Sequence, residues 1–242
     1  MSVALMPIGT QGAKIWQDDV YPWKVYGGIG QGLRSWALPA TLECDISTAT
    51  PAVFVMTVVG TTPTVAAGIV QGYPMLLTTT ATAYDGINLQ MRGSSCKTAA
   101  NTQWFLRGKL KASEASTSDL LFGVALLKTD LMKTSAAHGV LATGVEGCFF
   151  SKVSGAAAMT FYTYVAGTMT NSIAVGNLTA ADIDYAIWWD GIYLRAYLNN
   201  VLVAQFSTSL PTVAMTPSFN YRTGASAAIT LSVGELSYVS VE

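Results

Sequence analysis

Hydrophobic and polar residues alternate along much of the chain after residue 46, with the period of two that is typical of β-strands. Residues 86–93 (GINLQMRG) show this pattern most clearly, since Ile87, Leu89 and Met91 fall on one face and polar residues on the other. Successive side chains of a strand point to opposite faces of the sheet. We therefore expect a strand here, with one apolar and one polar face.

Other stretches are continuous apolar runs, such as 119–128 (DLLFGVALLK), which are typical of central strands in a sandwich. Turn residues separate the runs about every 8–12 residues, which predicts about ten to twelve short strands. This spacing indicates an all-β sandwich of two antiparallel sheets. We expect one domain over 46–242, with short helical turns at most at 129–139 and 178–184.

Residues 1–45 differ from the rest of the chain because they are rich in glycine and have no regular period. They hold three of the six tryptophans, Trp16, Trp23 and Trp36. A disordered arm would not carry this many aromatic side chains. We expect an extended N-terminal segment that lies on its own domain or on a neighbouring subunit, with the three tryptophans as candidate assembly contacts.

The segment 188–206 (WWDGIYLRAYLNNVLVAQF) predicts a β-hairpin. Asn199 and Asn200 form its turn, because asparagine tolerates the positive φ angles of tight hairpin turns. An earlier turn is expected at Asp190-Gly191. The hairpin therefore places several aromatic residues on neighbouring positions of one sheet.

The first strand of this hairpin carries the candidate binding face. Tyr193, Arg195 and Tyr197 fall on one side, and at most one of the adjacent Trp188 and Trp189 lies beside them. Aromatic platforms stack on sugars, and Tyr, Trp and Arg also dominate protein–protein hot spots. Three readings stay open: packing against the second sheet or the N-terminal segment, a protein interface, or a sugar site.

Two segments resemble known proteins. Residues 186–219 (AIWWDGIYLRAYLNNVLVAQF, then LPTVAMTPSF) resemble the closing strands of the concanavalin A-like, or laminin-G-like, jelly roll. Residues 83–132 (AYDGINLQMRG…QWFLRGKLKASEASTSDLLFGVALLKTDLM) are similar to tailed-bacteriophage virion proteins built on this jelly roll. The resemblance covers 80–242, and it implies a concanavalin A-like jelly roll and a structural role in a virion.

Composition narrows the classes of partner. Charged residues make up 11% of the chain, whereas a typical soluble domain carries about 25%. Such low charge suits a surface that is largely covered by neighbours. The net charge is −1 and the basic residues are scattered, which argues against nucleic acid as a partner.

The chain shows no targeting or membrane signal. Its longest apolar run, at 52–60, is shorter than the roughly 20 residues that a membrane-spanning helix needs. The N-terminus lacks the basic region of a signal peptide. Cys44, Cys96 and Cys148 are far apart and show no CxxC spacing, so we expect free, buried thiols in a reducing compartment.

Candidate catalytic groups are few. Glycosidases need two carboxylates about 5–10 Å apart; Asp182 and Asp184 could share a face, but their context indicates a solvated turn. His138 is the single histidine, no G-x-S-x-G elbow accompanies it, and we expect it to end a short helix or to face solvent. The GGIGQG run at 27–32 lacks the Lys-Ser/Thr of a phosphate loop. The sequence therefore predicts no catalytic, cofactor-binding or metal-binding residues, and no enzyme.

The expected function is that of a capsid decoration or cement protein. It would bind the outer surface of the major capsid protein and stabilise the head, as a small homo-oligomer such as a trimer. It would be made in the host cytoplasm without secretion and reside on the capsid surface. Two alternatives are a carbohydrate-binding jelly-roll module that touches a surface glycan, and a tail or fibre component of the virion.

Overall fold

A computed structural model describes residues 14–15, 25–26, 33–38, 54–70, 73–92, 96–132, 138–139 and 141–241. The regular elements within these residues are β-strands. In chain order they are β1 (Lys14–Ile15), β2 (Val25–Tyr26), β3 (Leu33–Leu38), β4 (Phe54–Val59), β5 (Thr64–Val70), β6 (Tyr73–Thr78), β7 (Gly86–Met91), β8 (Gln103–Ala112), β9 (Ser118–Ala125), β10 (Gly147–Lys152), β11 (Ala158–Val165), β12 (Thr168–Asn177), β13 (Ile183–Trp189), β14 (Leu194–Leu198), β15 (Val201–Phe206), β16 (Thr216–Thr223) and β17 (Thr230–Val241).

The strands form two large antiparallel sheets. Sheet I has the order β12-β11-β10-β9-β16-β7-β4, and sheet II has the order β15-β14-β13-β8-β17-β6-β5. The long strand β17 pairs with β6 through its first half and with β3 through its second half. Strands β1 and β2 form a separate two-stranded ribbon.

The two sheets pack face to face around one apolar core. Phe122 of β9 and Phe150 of β10 lie against Tyr185 of sheet II, with ring centroids 5.4 Å and 5.2 Å apart. Phe219 on β16 packs against Phe122 at 5.1 Å, and Trp104 on β8 is 1% exposed within the same core. These inner positions are the apolar positions of the alternating pattern.

The prediction of an all-β sandwich of two antiparallel sheets is confirmed. The predicted helical turn at 178–184 is wrong, because Ile183 and Asp184 already belong to β13 and pair with β8. Thr179 accepts a hydrogen bond from the Ala181 N–H at 3.3 Å in the bend before this strand. Residues 133–137, within the other predicted helical turn, lie outside the described residues.

Three strands, β1, β2 and β3, fall within the segment that the sequence set apart as N-terminal, and β3 joins sheet II. Strand β3 runs antiparallel to β17, with Trp36 opposite Tyr238 in the register. Sheet pairing therefore reaches into residues 1–45. Trp16 and Trp23 lie outside the described residues.

Candidate functional site

Trp188 and Arg195 lie side by side on the outer face of sheet II. The predicted hairpin is present, with Asn199 and Asn200 at φ values of 49° and 67°, and Arg195 stands opposite Trp188 in the register of β13 and β14. The Arg195 guanidinium lies 5.1 Å from the centroid of the Trp188 ring and 5.1 Å from that of Tyr193. The cation thus covers one face of the indole.

The Asp190-Gly191 turn fixes this arginine. The Asp190 carboxylate forms an ion pair with Arg195 and accepts hydrogen bonds from the N–H groups of Ile192 and Tyr193 at 2.8 and 2.7 Å. Burial acts to raise the pKa of Asp190, but these hydrogen bonds and Arg195 outweigh it, so the pKa lies below its ordinary value. Arg195 also donates to Gln205 at 3.0 Å.

Much of the predicted binding face is buried. Trp188 is 8% exposed and Tyr197 is 5% exposed, in a small cluster with Phe105 and Ala186. Tyr193, at 36%, is the exposed aromatic of the group. Since Arg195 and the neighbouring side chains cover the rings, this face does not offer an open aromatic platform.

Trp189 points to the opposite side, into the core. It is 5% exposed, and its indole N–H lies 3.2 Å from the Thr102 hydroxyl and 3.3 Å from the Ala99 carbonyl. The two adjacent tryptophans therefore separate to opposite faces, and Trp189 does not join Tyr193 and Arg195. The candidate binding face on the hairpin therefore contains Trp188 but not Trp189.

Asp182 and Asp184 each pair with a basic residue of β8. Arg107 donates to Asp184 through Nε at 2.9 Å, and Lys109 lies 2.9 Å from Asp182. Asp184 lies within a strand, not in the solvated turn that its context predicted. The two carboxylates serve as ion-pair partners across the outer face of sheet II.

His138 makes a specific contact instead of facing solvent freely. Its Nδ1 lies 3.2 Å from Oδ2 of the buried Asp119, and its ring stacks on Tyr84 with centroids 4.7 Å apart. Asp119 also accepts a hydrogen bond from the Ser154 N–H at 2.7 Å. The histidine thus docks part of the β9–β10 connection onto the end of β9.

Two cysteines lie in the core, as predicted for buried thiols. Cys96 and Cys148 are free and buried. Burial raises the pKa of Cys96 to about 12 and that of Cys148 well above its ordinary value. Both thiols are therefore protonated at neutral pH and poorly reactive. Cys44 lies outside the described residues.

The outer face of sheet I carries a polar cluster that sequence reasoning missed. Five polar side chains on β7 and β16 are at most 1% exposed, although they occupy the outward positions of their strands. They are Asn88, Gln90, Ser218, Asn220 and Arg222. The sequence does show amide and hydroxyl residues at alternate positions of β7 and β16. It does not show which part of the chain covers these side chains.

The first part of the connection between β9 and β10, residues 126–132, covers this cluster. Gln90 donates to the Leu126 carbonyl at 3.1 Å and accepts from the Lys128 N–H at 2.7 Å. Asn88 donates to the carbonyls of Lys128 and Thr129 at 3.2 and 3.4 Å. Side chains of β7 therefore hold the main chain of 126–129 in place.

Asp130 anchors the next turn of this connection. It forms an ion pair with Arg222, and its Oδ1 lies 3.4 Å from the Asn220 amide nitrogen. Its Oδ2 is buried and has no hydrogen-bond partner among the described residues. A buried carboxylate oxygen without a partner is uncommon, because most buried polar atoms form hydrogen bonds.

An open cleft lies between this connection and strand β4. Its volume is about 700 Å³, and it is lined by Val55, Thr57, Leu127, Lys128, Thr129 and Asp130. Leu127 is 57% exposed at the rim, and the Lys128 ammonium donates to the Thr143 carbonyl at 2.8 Å. We call this cavity the β4 cleft.

No family model and no curated protein matches the chain in sequence. Solved structures match it in fold. The Bacillus licheniformis β-glucanase has a TM-score of 0.59 at 13% identity, covering 84% of this chain and 97% of its own. The Emp47p carbohydrate recognition domain has a TM-score of 0.58 at 10% identity, covering 88% and 98%. A protein of unknown function from Shewanella oneidensis MR-1 has a TM-score of 0.58 at 7% identity, covering 89% of both chains.

The chain has a concanavalin A-like jelly-roll fold. The comparisons thus confirm the fold that was expected because residues 186–219 resemble the closing strands of this jelly roll. Because the sequence identities are low, the comparisons establish the fold alone. The structural role in a virion stays a prediction. The neighbours of this jelly roll include both a carbohydrate recognition domain and a glucanase.

The described part of the jelly roll contains no group of three or more His, Cys, Asp or Glu side chains placed to hold a metal ion. It also contains no helix with the length and apolar character needed to cross a bilayer.

Proposed function

We propose that this jelly roll is a non-catalytic saccharide-binding module that binds its ligand in the β4 cleft. The observation that carries the proposal is the open β4 cleft, whose lining includes the Asp130 carboxylate, held in place by Arg222 and Asn220. A preorganised acceptor beside an open cleft is what recognition of sugar hydroxyls requires.

The lining of the cleft suits a sugar in two further respects. Thr57 and Thr129 bring hydroxyl groups, and Lys128 brings a cation. Leu127 offers an exposed apolar surface for the C–H face of a pyranose ring. The volume of about 700 Å³ falls within the range of about 300–1,000 Å³ that is usual for ligand sites.

Binding without hydrolysis fits the charges of the cleft. Glycoside hydrolysis uses two carboxylates on either side of the scissile bond, about 5–10 Å apart. Among the described residues that line the β4 cleft, Asp130 is the one carboxylate, and it is paired with Arg222. The described lining can therefore orient a sugar, but it does not supply a second acid or base.

The neighbours in fold lend support of a general kind. A carbohydrate recognition domain and a β-glucanase share this jelly roll, so the scaffold is compatible with saccharide ligands. Fold likeness alone does not assign a function. The proposal therefore depends on the cleft.

A glycan array followed by titration calorimetry tests the proposal. We expect Leu127→Ala and Lys128→Ala to weaken binding of the best glycan by about tenfold each, since each removes a contact of roughly 1.4 kcal/mol. Tyr193→Ala, an exposed aromatic on the outer face of sheet II, is the matched control and should leave affinity unchanged. Absence of any glycan ligand, or loss of binding in Tyr193→Ala alone, would overturn the proposal.

A structural subunit of a virion is the second candidate. The observation that favours it is the absence of charged residues from the terminal strands of both sheets, which are β4, β5, β12 and β15. Such strands suit lateral contact with other subunits. In this role the jelly roll would bind the major capsid protein as a decoration protein, or serve as a tail or fibre component. Co-sedimentation of the full chain with particles from the same source tests it, and a chain that stays in the supernatant argues against it.

A further inference from the structure

The terminal strands β12 and β15 are uncharged, contrary to the usual pattern of sheet edges. Natural proteins commonly place lysine or other charges on edge strands to prevent pairing with other chains. Here β12 reads TMTNSIAVGN and β15 reads VLVAQF. Charges lie instead on interior strands, such as Arg107, Lys109 and Lys111 on β8. The edges therefore lack the charge that would prevent association.

These two strands lie together on one flank of the sandwich. Strand β12 ends sheet I, β15 ends sheet II, and the two contact each other. The Asn171 side chain donates to the Thr208 carbonyl at 3.2 Å, and the Thr170 hydroxyl donates to the Ser209 carbonyl at 2.7 Å. These bonds fix β12 against the segment that follows β15. We call this surface the β12–β15 flank.

The flank exposes apolar side chains. Met169 and Ile173 on β12 are 50% and 39% exposed, and Val201 and Leu202 on β15 are 63% and 48% exposed. They account for half of the eight large apolar side chains that are exposed among the described residues. Ile173 and Val201 pair with core residues and therefore face the gap between the sheets. Met169 and Leu202 lie on the outer faces of sheets I and II. Apolar side chains that are exposed along a sheet edge suit an interaction site.

The shape of the flank restricts the partner that fits. It presents the free edges of two sheets that approach each other at this flank. A single extended peptide can pair with one edge alone. A second two-layer sandwich can meet both edges at once if its two sheets have the same spacing. A second copy of this chain necessarily has the same spacing. The regular part of β12, from Asn171 to Ala174 between two register shifts, is where a partner strand would pair.

We propose that the β12–β15 flank binds a second copy of this chain, edge to edge, in a two-fold symmetric dimer. Around a two-fold axis each strand meets its own counterpart antiparallel, so the same surface serves both copies. The absence of charged residues from β12 and β15 favours this arrangement. A charged side chain near the two-fold axis would lie against the same charge in the second copy and repel it. This inference is independent of saccharide binding in the β4 cleft.

Light scattering coupled to size-exclusion chromatography of the full chain tests the dimer. We expect a mass of two chains that falls to one chain on dilution, because dimerisation depends on concentration. The double variant Ser172→Lys/Leu202→Lys changes two exposed side chains. It should be monomeric and should melt at the temperature of the wild type diluted to its monomeric state. Its matched control, Thr212→Lys/Ser226→Lys, adds the same charge at exposed loop positions and should remain dimeric.

A third variant separates this flank from the opposite one. Val58→Lys adds a charge to β4, at a residue that is 39% exposed, and should leave the dimer intact. The proposal fails if the full chain is monomeric at every concentration. It also fails if Val58→Lys dissociates the oligomer while Ser172→Lys/Leu202→Lys does not.

Discussion

The guanidinium of Arg222 lies inside the protein against the carboxylate of Asp130. Arg222 is 1% exposed, and the same nitrogen that contacts Asp130 donates to the Met132 carbonyl at 2.6 Å. A single cation on β16 therefore holds two points of the connection that covers sheet I. The position of this connection depends on a charged contact as well as on apolar packing.

Arg222→Met tests this dependence. The substitution leaves the Asp130 carboxylate without its cation, and breaking a buried ion pair costs about 3–5 kcal/mol. We expect the free energy of unfolding in urea to fall by about that amount. Lys111→Met, at an exposed lysine of β8, should change it by about 0.5 kcal/mol or less. Equal effects of the two variants would show that the buried pair does not stabilise the fold.

Trp188 and Trp189 form a natural matched pair. Trp189→Leu leaves a cavity in the core and removes the donor to Thr102, so we expect a loss of about 3 kcal/mol. Trp188→Leu removes contacts with Arg195 on the outer face and should cost about 1–2 kcal/mol. Chemical unfolding followed by circular dichroism measures both. A larger loss for Trp188→Leu would contradict the assignment of faces.

Glu114 links stability to acidic pH. Burial acts to raise its pKa, but hydrogen bonds from Ser116 and Thr117 outweigh it and lower the pKa from the ordinary 4.5 to about 2. The folded state therefore releases this proton more readily than the unfolded state, and the stabilisation is complete above pH 4.5. It is lost as the pH falls toward about 2.

The expected result is a melting-temperature difference that depends on pH. Wild type should exceed Glu114→Gln above pH 4.5, and the gap should close as the pH falls toward 2. A constant gap for Glu114→Gln would mean that its hydrogen bonds do not favour the ionised form.

Lys152 links stability to alkaline pH, and here too stability rises with pH because the pKa of the folded state is lowered. Its side chain is fully buried, and burial lowers its pKa from 10.5 to about 8, although Glu114 and Asp119 oppose the shift. Between pH 8 and 10.5 the unfolded state holds the proton more tightly, so stability rises with pH in this window. Urea unfolding across the window should show this rise in wild type and not in Lys152→Met. If the free energy of unfolding changed with pH in the same way for the two proteins, the link between Lys152 and stability would be refuted.

The period-two pattern predicted the strands and their inner faces, because alternation follows directly from strand geometry. It did not predict the edge strand β12, whose small polar residues give little apolar signal. Nor did it predict the burial of Asn88, Gln90 and Asn220. An alternating strand is expected to turn its polar side to water, and burial there depends on the distant residues 126–130.

The candidate site escaped prediction for a related reason. The conspicuous signals in the sequence were clustered aromatic residues and closely spaced carboxylates. The aromatic face of sheet II proved to be largely covered by its own side chains, as at Trp188. The β4 cleft is built from ordinary residues, and its significance comes from Arg222 holding Asp130 across 92 positions of sequence.

The way in which Gln90 and Asn88 hold the 126–129 segment has an evolutionary consequence. Their contacts run to backbone carbonyls and to one backbone N–H, so the path of the segment does not depend on its own side chains. Leu127, Lys128 and Thr129 can then be exchanged without disturbing the scaffold beneath them. Descendants of this protein could acquire new binding preferences by drift at three positions, while selection for foldability acts on β7 and β16.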